Sequence, residues 1–333
     1  MAEVALTGVT KRFGSTQAVR DLTLTVPDGG FMVLVGPTGA GKTTTLRLVA
    51  GLETPDAGTL SIGGQPVAGL TPAQRDVAMV FQQYSLYPHM TVRENLAFPL
   101  RSPMLRLPED RIRARVGEVA EVLRISAKLD NKATRLSGGE MQRVSIGRAL
   151  VRSPRAYLMD EPLSSLDAKL RSDLRVELRR IHAELGATFL YVTHDQIEAM
   201  TMATHVGVLD DGRLEQVGSP REVYENPRSL AVAARLGSPR INLLPAGAFG
   251  PAPARARQLG LRPEAVEVTP GGPAVVRRIE RLGDQTRLHV ALGPHEIVAL
   301  ASSTTPLGPG DPVALRPLST LWFDEAGHRI PGA

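Results

Sequence analysis

Residues 31–51 read FMVLVGPTGAGKTTTLRLVAG, and this stretch sets the architecture expected for the surrounding chain. The run from Phe31 to Val35 is almost unbroken in apolar residues, which is typical of a strand buried on both faces. A helix-compatible segment runs from Lys42 to Ala50 and stops at Gly51. The stretch therefore predicts a buried strand, a glycine-containing loop and a helix, in that order.

The loop between this strand and this helix fits the pattern G-x-x-x-x-G-K-[ST], which is typical of phosphate-binding loops. Its glycines allow backbone N–H groups to surround a phosphate, and the helix that follows presents its positive end. Lys42 is expected to reach the terminal phosphates, and the Thr43 hydroxyl can ligate Mg²⁺. The sequence thus predicts a nucleoside triphosphate site whose residues are Gly36, Pro37, Thr38, Gly39, Ala40, Gly41, Lys42, Thr43 and Thr44.

Two adjacent carboxylates follow a second apolar run. Residues 156–159 lead into Asp160 and Glu161, which places both side chains at the end of a predicted strand. Asp160 is suited to holding Mg²⁺ through its water shell, and Glu161 to polarising an attacking water as a general base. An isolated Asp-Glu pair is more often a solvated loop pair, but the apolar strand before it favours the functional interpretation.

A second glycine pair opens another predicted helix, in the sequence LSGGEMQR at residues 136–143. Ser137 is a plausible N-cap, and Gly138 and Gly139 allow close approach of an anion to the helix start. Because the first loop already surrounds the phosphates of one nucleotide, we hypothesise that this second anion site serves a nucleotide held by another copy of the chain.

Length and pattern predict two domains in this chain of 333 residues. Strands alternate with helices up to residue 236, which indicates a parallel α/β sheet, and a mainly helical segment over residues 88–154 reads as an inserted subdomain. From residue 237 to residue 333, Pro and Gly become frequent and the apolar runs shorten, so a small β-rich domain is expected there.

Composition excludes several classes of protein. The chain has no Cys, which excludes disulfides and thiolate metal sites, and its net charge of +5 is too small for its size to indicate a nucleic-acid partner. The N-terminal residues do not form a signal peptide, and no apolar run is long enough to span a bilayer. Any role at a membrane is therefore expected to come through a partner protein.

The sequence LSGGEMQR, placed between a phosphate loop and an Asp-Glu strand, resembles the signature motif of ATP-binding-cassette (ABC) ATPases. The resemblance implies ATP and Mg²⁺ as ligands, and a head-to-tail homodimer in which each ATP lies between the phosphate loop of one subunit and the signature of the other. In that arrangement Ser137, Gly138, Gly139 and Glu140 would contact the partner's nucleotide. Glu140 stands where the family usually has Gln, and the added negative charge could alter the affinity for ATP.

Four further positions are similar to functional positions of the family. Gln82 would contact Mg²⁺ and the attacking water, unless it is a surface amide or the neighbouring Gln83 has that role. Asp167 would communicate across the dimer, although Asp also commonly caps a following helix. His194 resembles the residue that senses the γ-phosphate, and Phe13 the aromatic residue that stacks on adenine. A structural His and a core Phe are the alternatives.

The segment Tyr84–Leu96 resembles the ATPase subunits of sugar importers, in which it lines the groove that receives a helix of the membrane permease. Docking of a permease near Tyr84–Met90 is therefore expected, with simple packing of the subdomain interface as the alternative.

Residues 237–242 and 259–264 look like the junction and the oligonucleotide-fold-like regulatory domain of the maltose/multiple-sugar and glycerol-3-phosphate importer ATPases. The resemblance implies a P-loop ATPase core with a helical insertion and a C-terminal β-barrel-like domain. It also implies an importer subunit for a sugar or sugar phosphate, peripheral on the cytoplasmic face of the membrane, served indirectly by an extracytoplasmic solute-binding protein. The alternative is a soluble ABC ATPase in translation, DNA repair or chromosome organisation.

Overall fold

The computed structural model describes residues 2–103 and 105–331. Contacts divide the chain into two compact units, one ending at Pro220 and one beginning at Arg221, and each is described by itself. The strands of the first unit are β1 (Val4–Phe13), β2 (Thr16–Val26), β3 (Phe31–Val35), β4 (Ala57–Ile62), β5 (Gln65–Pro66), β6 (Val77–Val80), β7 (Ala156–Asp160), β8 (Phe189–Thr193), β9 (His205–Asp210) and β10 (Arg213–Gly218).

The main sheet of the first unit has the strand order β10-β9-β3-β8-β7-β6. All neighbours in it are parallel except the edge pair of β9 and β10. The strands β3, β7 and β8 are buried along their whole length, as expected for parallel strands covered on both faces. The predicted parallel α/β sheet is confirmed.

A second, antiparallel sheet has the order β2-β1-β4-β5. Alternate residues of its strands face inward, because successive side chains of a strand point to opposite faces. Leu6, Leu22 and Leu24 pack in one buried cluster with Leu34 of the main sheet and Leu46. A hydrophobic core of this unit therefore lies between the two sheets and the helix that follows β3.

The helices of the first unit are α1 (Lys42–Ala50), α2 (Val92–Ala97), α3 (Glu109–Val122), α4 (Gly138–Leu150), α5 (Ala168–Leu185) and α6 (Gln196–Met202), with short 3-10 turns at Pro72–Arg75, Phe98–Arg101, Ser126–Lys128 and Ala133–Arg135. Helices α2, α3 and α4 contact one another and form the predicted helical insertion between β6 and β7. The predicted bounds of α1 are confirmed, since Gly51 ends the helix in a left-handed conformation that favours glycine.

The second unit contains α7 (Pro220–Glu225), whose first residue belongs to the first unit, α8 (Leu230–Arg235), β11 (Asn242–Pro245), β12 (Gln258–Leu261), β13 (Val266–Arg281), β14 (Gln285–Leu292), β15 (His295–Ser302), β16 (Pro312–Pro317) and β17 (Leu321–Phe323), with 3-10 turns at Ala246–Phe249 and Pro263–Ala265. The strands form two antiparallel sheets, β11-β12-β17 and β15-β14-β13-β16. Asn242 donates to the carbonyl oxygen of Val298 at 2.8 Å and accepts from its N–H at 2.7 Å, and so joins the two sheets.

The second unit begins at Arg221, which is earlier in the chain than the boundary at residue 237 that the sequence predicts. Arg262 explains this placement, because its buried guanidinium donates to the carbonyl oxygens of Ala233 and Leu236 and to that of Tyr224. It also lies 3.9 Å from the Tyr224 ring. The helical segment before residue 237 is thereby attached to the β-rich unit.

Candidate functional site

The polar residues singled out in the sequence meet at one edge of the main sheet. Strands β3, β8, β7 and β6 are consecutive neighbours, and their carboxyl ends lie side by side. The phosphate loop begins after β3, His194 follows β8, Asp160 ends β7 with Glu161 next in the chain, and Gln82 lies just beyond β6. Ligands of open parallel sheets bind outside the carboxyl ends of the strands. The sheet order therefore collects these residues in one site.

The start of α1 is open to a ligand. Its N-cap is Gly41, with φ of 92°, and no side chain caps the helix there. A Cβ on Gly41 would lie 2.3 Å from the carbonyl oxygen of Ala18, so both the backbone conformation and the available space require glycine. The first N–H groups of a helix have no acceptor within that helix. The loop therefore fits an anion at the start of α1.

Lys42 lies across the phosphate loop. Its side chain is buried, with 6% of the residue exposed, and Nζ donates to the carbonyl oxygens of Gly36 at 3.0 Å and Pro37 at 2.9 Å. These bonds hold the ammonium group within the loop that surrounds the start of α1. The neighbouring Thr44 is half-buried in the first turn of the helix. The arrangement places positive charge where the phosphates of a nucleotide would bind.

Thr43 and Asp160 form a pair of oxygen donors. The Thr43 hydroxyl donates to Oδ1 of Asp160 at 2.9 Å. Burial raises the pKa of Asp160, which is 7% exposed, and the hydrogen bond from Thr43 opposes that rise. Across the described residues, no group of three or more His, Cys, Asp or Glu could hold a metal ion. The pair fits Mg²⁺ that takes its other ligands from water and substrate phosphates.

Glu161 faces His194 across the neighbouring strand ends. Oε2 of Glu161 lies 3.0 Å from Nδ1 of His194, whose ring is 60% exposed. The backbone N–H of Glu161 donates to the carbonyl oxygen of Val192, and its φ of 44° is in the left-handed region. Such a conformation in a residue other than glycine is uncommon and concentrates at functional sites. It turns the chain away from β7 directly after the carboxylate pair.

The start of α4 is capped by its own side chains, unlike that of α1. The backbone N–H of Ser137 donates to Oε2 of Glu140 at 2.8 Å, and the N–H of Glu140 donates to Oγ of Ser137, which is a capping box. Lys128 lies 3.0 Å from the other carboxylate oxygen. The hydrogen bond from Ser137 and the nearby Lys128 hold the pKa of Glu140 below its usual range. The charge of Glu140 is thus engaged within the chain, and Gly138 and Gly139 form the first turn.

The remaining predicted positions, Asp167, Gln82 and Phe13, differ in their surroundings and exposure. Asp167 is the N-cap of α5 and accepts from the N–H of Leu170 at 3.0 Å, so the capping interpretation describes it in this chain. Gln82 is exposed, as is Gln83. Phe13 is 45% exposed, and the alternative of a core Phe is wrong.

The motifs do not predict two residues that contact the site, Tyr84 and Arg171. The Tyr84 hydroxyl lies 3.3 Å from Oγ of Ser165 and beside Gly138, and so touches both the loop after Glu161 and the start of α4. Arg171 joins two loops of the site edge. Arg171 lies one turn after the N-cap Asp167, and helical side chains point toward the N-terminus of their helix. This position indicates from the sequence that Arg171 can contact the loop before α5, but not that it contacts Asp195.

An open groove of about 1010 Å³ lies beside the segment 84–90. Tyr84 and Ser85 line it, but much of its wall comes from elsewhere, including Phe98 and Arg148 of the helical insertion. The ring of Tyr87 packs on Phe98 with centroids 4.5 Å apart, and the Arg148 guanidinium lies 4.7 Å from the Tyr87 ring. The segment therefore packs within the insertion and also contributes to an aromatic groove.

The sheet order and the phosphate loop together define a P-loop ATPase with an inserted helical subdomain. The family model described as ABC transporter matches residues 19–164, and the model described as TOBE domain matches residues 259–320.

Among curated relatives, the chain is 45% identical to the sn-glycerol-3-phosphate import ATP-binding protein UgpC of Paracoccus denitrificans (strain Pd 1222), with 100% of each chain covered. It is 47% identical to the protein of the same name from Rhodopseudomonas palustris (strain BisB5), over 95% of this chain and 90% of the relative. The chain belongs to the family of ABC transporter ATP-binding proteins, and it is an ATPase.

Solved structures agree with this assignment. The ADP conformation of MJ1267, an ATP-binding cassette of an ABC transporter, matches with a TM-score of 0.61 and 27% identity, covering 68% of this chain and 96% of that one. The cbiO1 protein from Clostridium perfringens, part of the transporter complex cbiONQ, matches with a TM-score of 0.63 and 26% identity, covering 67% and 90%.

Proposed function

We propose that this chain is the energy-coupling ATPase subunit of an importer for a sugar phosphate, with sn-glycerol-3-phosphate as the leading solute and a sugar as the alternative. The observation that carries the proposal is the meeting of Lys42, Asp160, Glu161 and His194 at one sheet edge. Relatives that match along their whole length are named as import proteins for sn-glycerol-3-phosphate, which supports the solute class.

The chemistry assigned to the site is hydrolysis of the terminal phosphate of ATP. The phosphate loop from Gly36 to Thr44 binds the phosphates, with Lys42 as the buried cation. Thr43, Asp160 and Gln82 would hold Mg²⁺, which would supply positive charge to neutralise the phosphates. Glu161 orients and deprotonates the attacking water, and His194 keeps its carboxylate in position through the 3.0 Å contact.

The active unit proposed is a homodimer. The start of α4, from Ser137 to Glu140, would contact the nucleotide held by the phosphate loop of the second copy, and Asp167 would lie near the interface. A symmetric pair needs only one kind of chain to build two sites. The exposed ring of Phe13 is available to stack on adenine, a contact of about 1 kcal/mol.

The proposed membrane partner is a permease whose cytoplasmic helix docks in the groove near Tyr84–Met90. An aromatic groove suits the apolar face of a helix. No helix within residues 2–103 and 105–331 is long and apolar enough to cross a bilayer. The proposed contact with a permease places the chain peripherally on the cytoplasmic face of the membrane, with a solute-binding protein acting through the permease and no nucleic-acid partner.

The test is to isolate the membrane proteins that copurify with the chain, reconstitute them and measure ATP hydrolysis. We expect sn-glycerol-3-phosphate, presented with its binding protein, to stimulate hydrolysis more than maltose does. A complex that contains Glu161→Gln serves as the inactive control. Stimulation by a sugar alone would change the solute class, whereas copurification with ribosomes or DNA and without a permease would contradict the importer function.

A further inference from the structure

Two loops of the catalytic edge converge on one side chain, that of Arg171 in α5. One loop, residues 162–167, follows Glu161, and the guanidinium donates from one nitrogen to the carbonyl oxygens of Ser164 at 3.4 Å and Leu166 at 2.9 Å. The other is the turn after β8, in which Oδ2 of Asp195 lies 3.6 Å from the second terminal nitrogen of Arg171. Arg171 therefore binds both loops at once.

These contacts close a ring that begins and ends at Glu161. The Ser164 hydroxyl donates to the carbonyl oxygen of Glu161 at 2.9 Å, and the N–H of Ser164 donates to the same oxygen. Arg171 joins Ser164 to Asp195, which is the neighbour of His194 in the chain. His194 returns to the Glu161 carboxylate at 3.0 Å. A displacement of either loop is thus transmitted to the contact between Glu161 and His194.

The helices on either side are anchored without Arg171. Asp195 caps α6 by accepting from the N–H of Ile197 at 2.7 Å, and its own N–H donates to the Thr193 hydroxyl at 3.0 Å. Asp167 caps α5 in the same way. Since both helix starts have their own caps, the folding of these helices does not depend on the link that Arg171 provides.

We propose that Arg171 is a positioning residue for ATP hydrolysis, which sets the distance between the Glu161 loop and the His194 turn. The inference rests on the roles proposed above for Glu161 and His194. The planar fork of a guanidinium suits the task, because it can bind a carboxylate and backbone carbonyl groups at the same time. An ammonium group has the charge without the fork.

The experiment compares Arg171→Ala and Arg171→Lys with Arg175→Ala in the reconstituted full-length protein. Arg175 is the matched control because it lies one turn further along α5 and has no hydrogen bond or ion pair to any described residue. We expect Arg171→Ala to lower kcat by about tenfold or more, since small misplacements of reacting groups cost that much, with the KM for ATP nearly unchanged. Arg171→Lys should recover part of the loss, and all three melting temperatures should agree.

A second arm tests the link to Asp195. Asp195→Asn retains an oxygen that can cap α6 but removes the charge that faces Arg171. If Arg171 and Asp195 act through their mutual contact, the double variant Arg171→Ala/Asp195→Asn should have the same kcat as Arg171→Ala alone. Such non-additivity is expected of coupled residues.

The results separate failure of this inference from failure of the proposed site. A kcat for Arg171→Ala equal to that of Arg175→Ala, or strictly multiplicative losses in the double variant, would overturn the inference. A fall in melting temperature that accounts for the lost activity of Arg171→Ala would also overturn it. If Glu161→Gln retained turnover, the site assignment itself would fail, whatever the behaviour of Arg171.

Discussion

The molecule has two helix starts with glycine pairs, at α1 and at α4, and they satisfy their backbone N–H groups in different ways. Helix α1 begins on Gly41, which has no side chain to offer as a cap. Helix α4 begins on Ser137, whose hydroxyl and backbone are joined to Glu140 in a closed capping box. One start leaves its N–H groups for a ligand, and the other has a carboxylate of its own chain in place.

The difference indicates that the two glycine-containing helix starts have different roles in nucleotide binding. Phosphates that bind at α1 complete a helix start that its own chain leaves open, so α1 is suited to hold the nucleotide. The start of α4 is stable before any nucleotide arrives, so it is suited to join a site that is already occupied. Each of the following substitutions tests one side of this contrast.

The largest effect is expected for Lys42→Ala. Removal of the buried ammonium from the phosphate loop should lower ATP turnover by about 10²- to 10³-fold, as loss of a preorganised electrostatic contact does at other active sites. Steady-state ATPase measurements and a nucleotide-binding titration check this, with the melting temperature measured alongside. A fully active variant would remove α1 from the nucleotide site.

Gly41→Ala should have the next largest effect. Both Gly41 and Gly39 have positive φ, but a Cβ on Gly41 would collide with the Ala18 carbonyl oxygen, whereas one on Gly39 faces open space. Gly39→Ala should therefore cost about 1–2 kcal/mol for the backbone conformation alone. Gly41→Ala should cost more and also weaken ATP binding. Urea unfolding compares the two variants, and equal losses would show that the close approach to Ala18 is unimportant.

Ser137→Ala tests the self-capped helix start. Loss of the N-cap hydroxyl should lower the free energy of unfolding by about 1 kcal/mol, while Ser137→Thr should preserve most of it. Thermal unfolding of both variants measures the difference. If Ser137→Ala were as stable as the wild type, the capping box would not stabilise α4.

Glu140→Gln should have the smallest effect, because the amide can still accept the bond from the Ser137 N–H. We expect the free energy of unfolding at pH 7 to change by less than about 0.5 kcal/mol. The pKa of Glu140 is lowered in the folded chain, so its charge stabilises the fold at neutral pH and this contribution disappears as the carboxylate is protonated.

The stability difference between the wild type and Glu140→Gln should therefore shrink on acidification below about pH 4.3, the ordinary glutamate range. Melting temperatures of both proteins from pH 7 to pH 3 measure it. A difference that grows with falling pH would contradict the assigned direction of the pKa shift.

Local signals predict much of the fold and part of the candidate site. The bounds of α1 follow from Gly41 before it and Gly51 after it. The parallel order of the strands explains why residues after separate apolar runs meet. Ser137 is predicted from the sequence as the N-cap of α4, but that prediction does not use the spacing to Glu140, which is a capping-box signal and which the structure confirms. The pairing of Glu140 with Lys128 depends on tertiary contacts.

Contacts between segments that are far apart in the sequence could not be predicted from local sequence patterns. The link from Arg171 to Asp195 joins two helices across the site edge, and no periodicity in either segment indicates it. The alternation of β1 likewise does not reveal that Phe13 is exposed rather than buried. The start of the second unit depends on the long-range bonds of Arg262 to α8.

The central claim is that α1 binds the nucleotide of its own chain and α4 that of a second copy. Light scattering of Glu161→Gln with ATP tests it most directly, because this variant should retain ATP without hydrolysing it. We expect the mass to rise from 35.7 kDa to about twice that value on addition of ATP. The double variant Glu161→Gln/Ser137→Arg should bind ATP but keep the mass of a single chain. An ATP-bound single chain in Glu161→Gln, or a dimer indifferent to Ser137→Arg, would contradict the account.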